Sequence, residues 1–323
     1  MAHAIEISQV EDGVRLQRWF VRMFPSMPLR DFYRLCRGGQ IRVNSKRVKG
    51  QEILRMGDVV RVPPTLSEYK KNTLQKTESG ERFSLSDLEE LRKCIVHNDD
   101  DIVVFNKPAG LAVQGGTGIR KSVDKMAAAL FPYDKISLVH RLDKETSGLL
   151  VVAKNQRAAQ FLSRAFQNKT AHKEYLALLN GNVSKKSGII DNYVLKGCVF
   201  DSDARVNNGT GQRPQRAITE YSVLSQAAGC VSWVRFSPKT GRTHQLRMHS
   251  AFSLNAPIVG DKLYGSGKTV EIAVQSMLDV NKLYLFAYKI TFQHPSNGRM
   301  MTFRATVPDF MEPIMKLLEF KLP

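Results

Sequence analysis

The sequence predicts an α+β protein in which a small N-terminal domain of helices and short strands precedes a larger domain built on a mixed, mainly antiparallel sheet. Its 323 residues exceed what one hydrophobic core usually serves. A basic helix-and-hairpin pattern occupies residues 30–61, and strand-like segments outnumber helical ones after residue 94. We therefore divide the chain into a first domain over residues 1–62, a linker over 63–93 and a second domain over 94–323.

The first domain concentrates positive charge on predicted secondary structure. Nine basic and three acidic residues lie between Arg30 and Arg61. The strongest candidates for a nucleic-acid contact are three arginines at helical spacing and three basic residues of the hairpin that follows: Arg30, Arg34, Arg37, Arg42, Lys46 and Arg47. A solvated basic face is the alternative, but a basic helix edge that continues into a basic hairpin favours contacts with RNA or DNA phosphates.

The linker and the second domain differ in their apolar content. Residues 63–93 begin with two prolines, alternate polar residue types and allow one short helix over residues 87–91, capped by Ser86. The strands predicted in the second domain cover residues 102–105, 149–153, 172–179, 217–224, 231–236, 283–290 and 301–305. Asn155 is placed to cap a helix with apolar residues at i, i+3 and i+4 spacing.

Composition narrows the class of protein. With 42% hydrophobic and 24% charged residues the chain is expected to fold. No apolar run reaches the eighteen or so residues that cross a bilayer, residues 1–10 do not resemble an export signal, and the four cysteines stand far apart. We expect a cytoplasmic protein without a disulfide framework or a zinc site. The net charge of +18 favours a polyanionic partner such as nucleic acid.

The densest polar motif is His140-Arg141-Leu142-Asp143-Lys144-Glu145-Thr146-Ser147-Gly148, which leads directly into a predicted buried strand. A polar turn on a rigid strand can present a carboxylate to a cleft, which makes Asp143 a candidate catalytic group. From these residues alone, an Asp-capped surface turn is an equally good interpretation.

Two further motifs carry candidate site residues. In the segment 239–249, Gly241 allows a turn that aims Arg242 at a carboxylate or phosphate. His244 and His249 lack the spacing of a helical zinc site and are predicted to be core or capping residues. Tyr175 lies on a predicted strand, where it either covers a planar base or packs in the core.

Together these strings resemble a known family. HRLDKETSGLLVVAK closely resembles the catalytic motif of the RluA-type pseudouridine synthases, and the similarity continues through NDDDIVVFNKPAGLAV, KEYLAL, AITEYSVL, TGRTHQLRMH and PIVGDKLYG to LYLFAYKITFQHP. It covers nearly all of residues 94–308. Residues 13–62 are similar to the small alpha-L RNA-binding domain. Gln17 stands where that domain often has Asp, and Phe286 where the synthases usually have His.

The resemblance implies an enzyme that converts uridine in RNA to pseudouridine by breaking the N1–C1′ bond and joining C5 to C1′, without cofactor or metal. It implies that Asp143 acts as nucleophile or base and that Arg242 pairs with it. Tyr175 would stack on the target ring and take the final proton from C5. Arg141 would fill the gap that the flipped base leaves.

An N-terminal RNA-binding domain on this chain length further implies large-subunit ribosomal RNA as the partner of a monomer that binds no membrane. An RNA-binding ribosome-assembly factor with dispensable catalysis is the alternative. A helicase or nuclease is disfavoured, because it would need a phosphate-binding loop or clustered metal-binding carboxylates.

Overall fold

The computed structural model describes residues 3–8, 11–24, 27–64, 66, 83–116, 118–195, 197–200, 213–227, 229–265, 278–279 and 281–323. It divides into two compact units. The first comprises Met1–Phe105, Gln114–His140 and Val151–Ser163, and the second comprises Asn106–Val113, Arg141–Leu150 and Arg164–Pro323. Most of the predicted linker, residues 65 and 67–82, lies outside the described residues. The division into domains over 1–62 and 94–323 stays a prediction.

The first unit begins with two helices and a small sheet, and the first strand of this sheet precedes both helices, which the sequence did not predict. Its elements are β1 (His3–Glu6), α1 (Leu16–Met23), α2 (Leu29–Arg37), β2 (Arg42–Val43), β3 (Lys46–Arg47) and β4 (Val59–Val62). The antiparallel sheet has the order β1-β4-β2-β3. Asn44 and Ser45 take left-handed conformations, with φ of 49° and 65°, which suits the tight turn between β2 and β3.

A separate apolar cluster holds these elements together. It contains buried side chains from Ile7 to Leu66, and the Phe20 ring lies 4.8 Å from Phe24 and 4.6 Å from Phe32. On α2, Phe32 and Cys36 face this cluster, so the arginines at the other helical positions are left exposed.

Ion pairs join the N-terminal helices to residues beyond the predicted linker. Arg18 on α1 lies 2.7 Å from the buried carboxylate of Asp134, which in turn lies 3.4 Å from the buried ammonium of Lys154. Arg15 pairs with Asp100 at 3.1 Å. These contacts explain why the first compact unit extends past residue 62.

The rest of the first unit alternates strands with helices. It contains α3 (Leu85–Lys93), β5 (Ile95–Asn98), β6 (Ile102–Lys107), α4 (Val123–Leu130), β7 (Ser137–Leu138), β8 (Ser147–Ala153) and α5 (Gln156–Gln167), with β6, β8 and α5 continuing into the residues of the second unit. The sheet order is β8-β6-β5, and β7 pairs with β8. Asn155 caps α5 as predicted, because its Oδ1 accepts from the Ala158 N–H at 2.9 Å.

The predicted cap of α3 is wrong. Ser84, not Ser86, is the capping residue: its hydroxyl accepts from the Asp87 N–H at 3.1 Å, and the Asp87 carboxylate accepts in return from the Ser84 N–H. This reciprocal capping box satisfies two backbone donors and starts the helix two residues earlier than predicted.

The second unit is built on a long sheet. Its remaining elements are β9 (His172–Asn180), β10 (Ser187–Leu195), β11 (Cys198–Phe200), β12 (Gln215–Ala227), β13 (Val231–Pro238), α6 (Gln245–Met248), a π-helical turn (His249–Ser253), β14 (Leu285–Gln293), β15 (Met300–Arg304), a 3-10 turn (Asp309–Met311) and α7 (Glu312–Leu317). The order β11-β10-β12-β13-β9-β14 is antiparallel throughout, whereas Ser147 and Gly148 run parallel to β14. The predicted mixed, mainly antiparallel sheet is confirmed.

The core of this sheet accommodates the phenylalanine at position 286. Phe286 is fully buried, with ring centroids 6.3 Å from Trp233 and 6.1 Å from Tyr288. Aromatic packing therefore stabilises this position without a hydrogen-bonding side chain. Within the described ranges, no helix is long and apolar enough to cross a bilayer.

Candidate active site

The loop that carries Asp143 is closed by its own backbone and fixed against β14. The Thr146 N–H donates to the Asp143 carbonyl at 3.1 Å. Two residues later, Gly148 has φ of 102°, and a Cβ at this position would lie 2.4 Å from the Ala287 carbonyl oxygen. Only glycine permits this close approach, which places the start of β8 directly beside β14.

A buried lysine ties a second loop to the Asp143 loop. Lys107 is fully buried, and its ammonium donates to the carbonyl oxygens of Pro108 at 2.9 Å, Leu111 at 2.8 Å and Lys144 at 3.0 Å. The Gly110 N–H also donates to the Lys144 carbonyl at 2.9 Å. The local sequence gives no sign of this contact, because a lysine followed by Pro, Ala and Gly has no pattern that indicates burial.

Four of the predicted site residues lie around one cavity of about 110 Å³, which we call the site cavity: Arg141, Asp143, Tyr175 and Arg242. Its remaining lining comes from residues 142, 146, 173, 238, 240–241, 243–247 and 285. The cavity is small compared with ordinary ligand pockets, which measure roughly 300–1,000 Å³.

The Asp143 carboxylate is half-buried and faces this cavity. Among the described residues it has no ion-pair partner within 4.0 Å. Arg242, expected to pair with it, is exposed and donates from Nε to the Arg216 carbonyl oxygen at 3.1 Å. A carboxylate without a partner in a cavity lined by cations is available to a reacting group.

The turn that carries Arg242 is organised by a buried glutamine. Gln245 accepts from the Arg242 N–H at 3.0 Å and from the Thr240 hydroxyl at 2.8 Å. Its amide donates to the Ile218 carbonyl at 3.0 Å and to the Thr219 hydroxyl oxygen at 2.9 Å. This network fixes the turn to β12, and sequence reasoning did not identify it.

Tyr175 and Lys173 are two residues apart on β9, so they extend from one face of the strand, and both line the site cavity. Tyr175 is only 8% exposed, and burial, helped by the charge of Asp143, raises the pKa of its phenol above the ordinary value. The phenol is therefore protonated at neutral pH. Burial also lowers the pKa of Lys173, whose Nζ lies 5.7 Å from the Phe166 ring centroid.

Arg247, which the sequence did not single out, is the fixed cation of the site. Its Nε and Nη2 donate to the two oxygens of Asp261 at 2.7 and 2.6 Å, and the two residues are 6% and 5% exposed. Burial is the largest single effect on the Arg247 guanidinium and acts to lower its pKa. The hydrogen bonds and charge of Asp261, followed by the charge of Asp143, outweigh burial and raise the pKa of Arg247. The arginine is thus held in place while it acts on Asp143 electrostatically.

The two histidines of the segment 239–249 have different environments. His249 is fully buried, with its ring nitrogens 2.9 Å from Thr219 Oγ1 and 3.0 Å from Asn192 Oδ1, so the prediction of a core histidine is confirmed for it. His244 occupies the N-cap position of α6, with φ of 55°, so the prediction of a capping residue holds for its position although its side chain makes no capping hydrogen bond. The ring instead lines the site cavity, and its Nδ1 lies 3.0 Å from the Tyr264 hydroxyl oxygen. Burial is the main cause that lowers the pKa of His244.

Most of the basic residues predicted to contact nucleic acid are exposed in the first unit. Five of them form what we call the basic surface: Arg30, Arg34, Arg37, Lys46 and Arg47. The Arg30 side chain is 88% exposed and that of Arg34 is 72% exposed. Arg42 differs, because its guanidinium donates to the Gly39 carbonyl at 3.0 Å and the Ser45 carbonyl at 3.1 Å and so braces the hairpin.

Comparisons with known proteins show which proteins this chain is similar to. Residues 101–252 match the family described as RNA pseudouridylate synthase. A ribosomal large subunit pseudouridine synthase C of Vibrio cholerae is 36% identical over 310 residues, which cover 95% of this chain and 94% of the relative. The protein of the same name from Escherichia coli K12 is 32% identical over 315 residues, covering 97% and 96%. The structure of human RNA pseudouridylate synthase domain containing 4 superposes with a TM-score of 0.62 at 26% identity, covering 73% of this chain and 97% of that one.

Proposed function

The chain belongs to the RNA pseudouridylate synthase family and is an isomerase of uridine in RNA, and we propose that its substrate is large-subunit ribosomal RNA. Relatives that match nearly the whole chain are named for that substrate. The structural observation that supports the proposal is the Asp143 carboxylate, which has no ion-pair partner within 4.0 Å among the described residues and lines a small cavity together with Arg141, Tyr175 and Arg242.

The reaction rearranges one nucleotide without adding or removing atoms overall. The N1–C1′ bond of uridine breaks, C5 bonds to C1′, a proton leaves C5, and N1 gains one. We assign to Asp143 the attack, as nucleophile or base, that breaks the first bond. The tight cavity keeps the released uracil beside the sugar until it re-bonds through C5.

The target uridine must leave its stack to reach Asp143, at a cost of a few kcal/mol. Arg141 is exposed at the edge of the site cavity, where it is available to occupy the gap in the RNA. Tyr175 presents a buried ring on which uracil can stack. To act as a base, Tyr175 would first have to lose its phenol proton, and burial and the charge of Asp143 oppose that loss by raising its pKa. The raised pKa therefore supports stacking more than proton abstraction.

The arginines around the cavity take separate roles in this proposal. Arg247 is locked by Asp261 and stabilises negative charge near Asp143. Arg242 is exposed and its side chain donates to a backbone carbonyl, so it can bind an RNA phosphate or approach Asp143 when substrate enters.

We further propose that residues 1–62 form an RNA-binding domain, residues 63–93 a linker and residues 94–323 the catalytic domain. The separate apolar cluster and the basic surface support this division. Phosphate contacts there would add affinity without reading sequence. The protein would act as a monomer in the cytoplasm, where ribosomal RNA is made and ribosomes are assembled.

Pseudouridine mapping in ribosomal RNA tests the substrate. Large-subunit RNA from cells that lack the gene should lose pseudouridine at specific positions, and a plasmid copy of the wild-type gene should restore it. A copy with Asp143→Asn should restore none of these positions. An unchanged pseudouridine map in the deletion strain would overturn the proposed substrate, whereas restored ribosome assembly without pseudouridine would favour an assembly role.

A further inference from the structure

A second cavity adjoins the site cavity. It measures about 860 Å³ and shares Arg242, Thr243 and His244 with the site cavity, so the two lie side by side. This volume lies within the range of roughly 300–1,000 Å³ that small-molecule sites occupy. We call it the side cavity, and nothing in the reaction of one uridine requires it.

Apolar and aromatic side chains line the side cavity. Phe252 is 52% exposed and Leu263 is 61% exposed, although both are large hydrophobic residues. The Tyr264 ring, which also lines the side cavity, lies between Phe252 and His244, with its centroid 5.9 Å from the Phe252 ring and 5.8 Å from the His244 ring, in edge-to-face geometry with each. A row of rings therefore leads from the open side cavity to the site cavity.

This row is held rigidly. The Arg247 guanidinium lies 5.2 Å from the Tyr264 ring centroid, and the Tyr264 N–H donates to Asp261 at 3.1 Å. Phe252 belongs to the π-helical turn His249–Ser253, a rare geometry that often occurs at functional sites. Asn192 anchors both ends of that turn, through His249 at 3.0 Å and the Ser253 hydroxyl at 3.0 Å.

The charge of the side cavity matches a polyanion. Arg213 and Arg242 are exposed along its lining, and none of the described residues that line it is acidic. Exposed aromatic and aliphatic surface beside guanidinium groups is the combination that binds single-stranded nucleic acid, because bases stack on the apolar groups while phosphates meet the cations.

We propose that the side cavity binds a second, unpaired nucleotide of the same RNA, within two positions of the target uridine. Its base would pack on Phe252 and Leu263, and its phosphate would meet Arg213. Capturing this base offsets part of the cost of unstacking the uridine and selects RNAs whose loops can open at that position. The inference rests on the proposed function, since it needs the same RNA in the site cavity.

The test uses a synthetic fragment of large-subunit RNA that contains a uridine identified by the mapping experiment. Single-turnover rates are measured for wild type, Phe252→Ala, Phe252→Tyr and Ile189→Ala, with enzyme in excess over RNA but below the concentration that saturates the rate. The last is the matched control, because Ile189 is an apolar residue of the same unit, 67% exposed and outside the cavity. Each enzyme is assayed on the intact fragment and on fragments with an abasic residue at each of the four neighbouring positions.

On intact RNA we expect Phe252→Ala to lower the rate about tenfold, Phe252→Tyr to stay within about threefold of wild type, and Ile189→Ala to leave the rate unchanged. At one abasic position, wild type should slow to the rate of Phe252→Ala, and the variant should slow no further. That position identifies the captured nucleotide.

Three results would overturn the inference. Equal rates for Phe252→Ala and Ile189→Ala would show that the side cavity does not bind a nucleotide of the substrate RNA. A tenfold loss in Phe252→Ala that persists on every abasic fragment would show a structural effect, as would a lowered urea midpoint. If the mapping experiment finds no uridine whose modification depends on this gene, the proposed substrate fails and the inference fails with it; the first two results leave that substrate intact.

Discussion

The cations of the basic surface and those of the site cavity differ in burial and in partners. Arg30 and Arg34 have side chains that are 88% and 72% exposed, and their nearest carboxylate is that of Asp31, at 3.9 and 3.3 Å. Arg247 is 6% exposed and donates two hydrogen bonds to the carboxylate of Asp261. Exposed charges act through screened, sequence-independent attraction, whereas a buried pair fixes geometry and depends on each partner for stability.

This difference predicts which substitutions change the reaction rate, which change the free energy of unfolding and which change the affinity for RNA. A residue of the basic surface should change affinity and its salt dependence. A residue of the site cavity should change rate, and one whose charge is buried and paired should also change the free energy of unfolding.

The largest effect is expected from Asp143→Asn. The amide keeps the shape of the side chain but loses its charge and nucleophilicity, so the rate of pseudouridine formation should fall at least about a thousandfold. Because Asp143 forms no ion pair within 4.0 Å among the described residues, the urea midpoint and RNA affinity should stay near those of wild type. Single-turnover assays and urea titration measure these quantities, and a rate within tenfold of wild type would show that Asp143 is not the reacting group.

Arg247→Met should destabilise the fold as well as slow the reaction. The substitution leaves the Asp261 carboxylate buried without its partner, which typically costs about 3–5 kcal/mol. Arg216→Met is a matched control, since Arg216 also makes two hydrogen bonds to one carboxylate, Asp191 at 2.8 and 2.6 Å, but its side chain is 59% exposed.

The two ion pairs have nearly the same hydrogen-bond geometry and differ in burial, so urea unfolding of the two variants measures the effect of burial. The midpoint of Arg247→Met should drop sharply, and that of Arg216→Met should be indistinguishable from wild type. Similar losses in both would mean that burial does not separate the two ion pairs.

A third, somewhat smaller effect concerns the pH dependence of stability. Burial lowers the pKa of His249 from 6.5 to about 4, so between these values the unfolded chain binds a proton that the folded protein excludes. Stability therefore falls as pH decreases from 6.5 towards 4, by up to about 3 kcal/mol, and this contribution is constant above pH 6.5. Urea titrations at pH 7 and pH 4.5 should show a smaller pH effect in His249→Gln than in wild type, while the exposed His172→Gln keeps the wild-type dependence. An equal dependence in all three proteins would rule out His249 as the source.

Local patterns were sufficient to predict most of the secondary structure, but not the four residues that lie around the site cavity, Arg141, Asp143, Tyr175 and Arg242. Hydrophobic periodicity and capping depend on neighbouring residues, so the sheet strands and the Asn155 cap could be predicted. The motif similarity supplied the site residues, since spacing alone left Asp143 as an equally plausible surface turn.

Long-range partners could not be predicted. Asp261 lies fourteen residues from Arg247, and the Lys107 ammonium reaches the Lys144 carbonyl thirty-seven residues away. Only the tertiary fold brings such groups together, and a basic residue carries no local sign of burial. For the same reason Arg42 was grouped with the surface cations although it braces a turn.

The smallest effect per residue is expected on the basic surface, and Arg42 provides its internal control. Replacing Arg34, Arg37, Lys46 and Arg47 together with Gln should leave the urea midpoint near wild type, because these side chains are exposed. If each of them neutralises one phosphate, the slope of log K against log salt should become shallower by roughly 0.7–0.9 for each side chain replaced, with little change in the rate at saturating RNA. Arg42→Gln should instead lower stability by about 1 kcal/mol through its two carbonyl hydrogen bonds and change the slope less. Filter binding at several salt concentrations and urea titration distinguish the two variants, and an unchanged slope in the fourfold variant would show that this surface does not bind RNA phosphates.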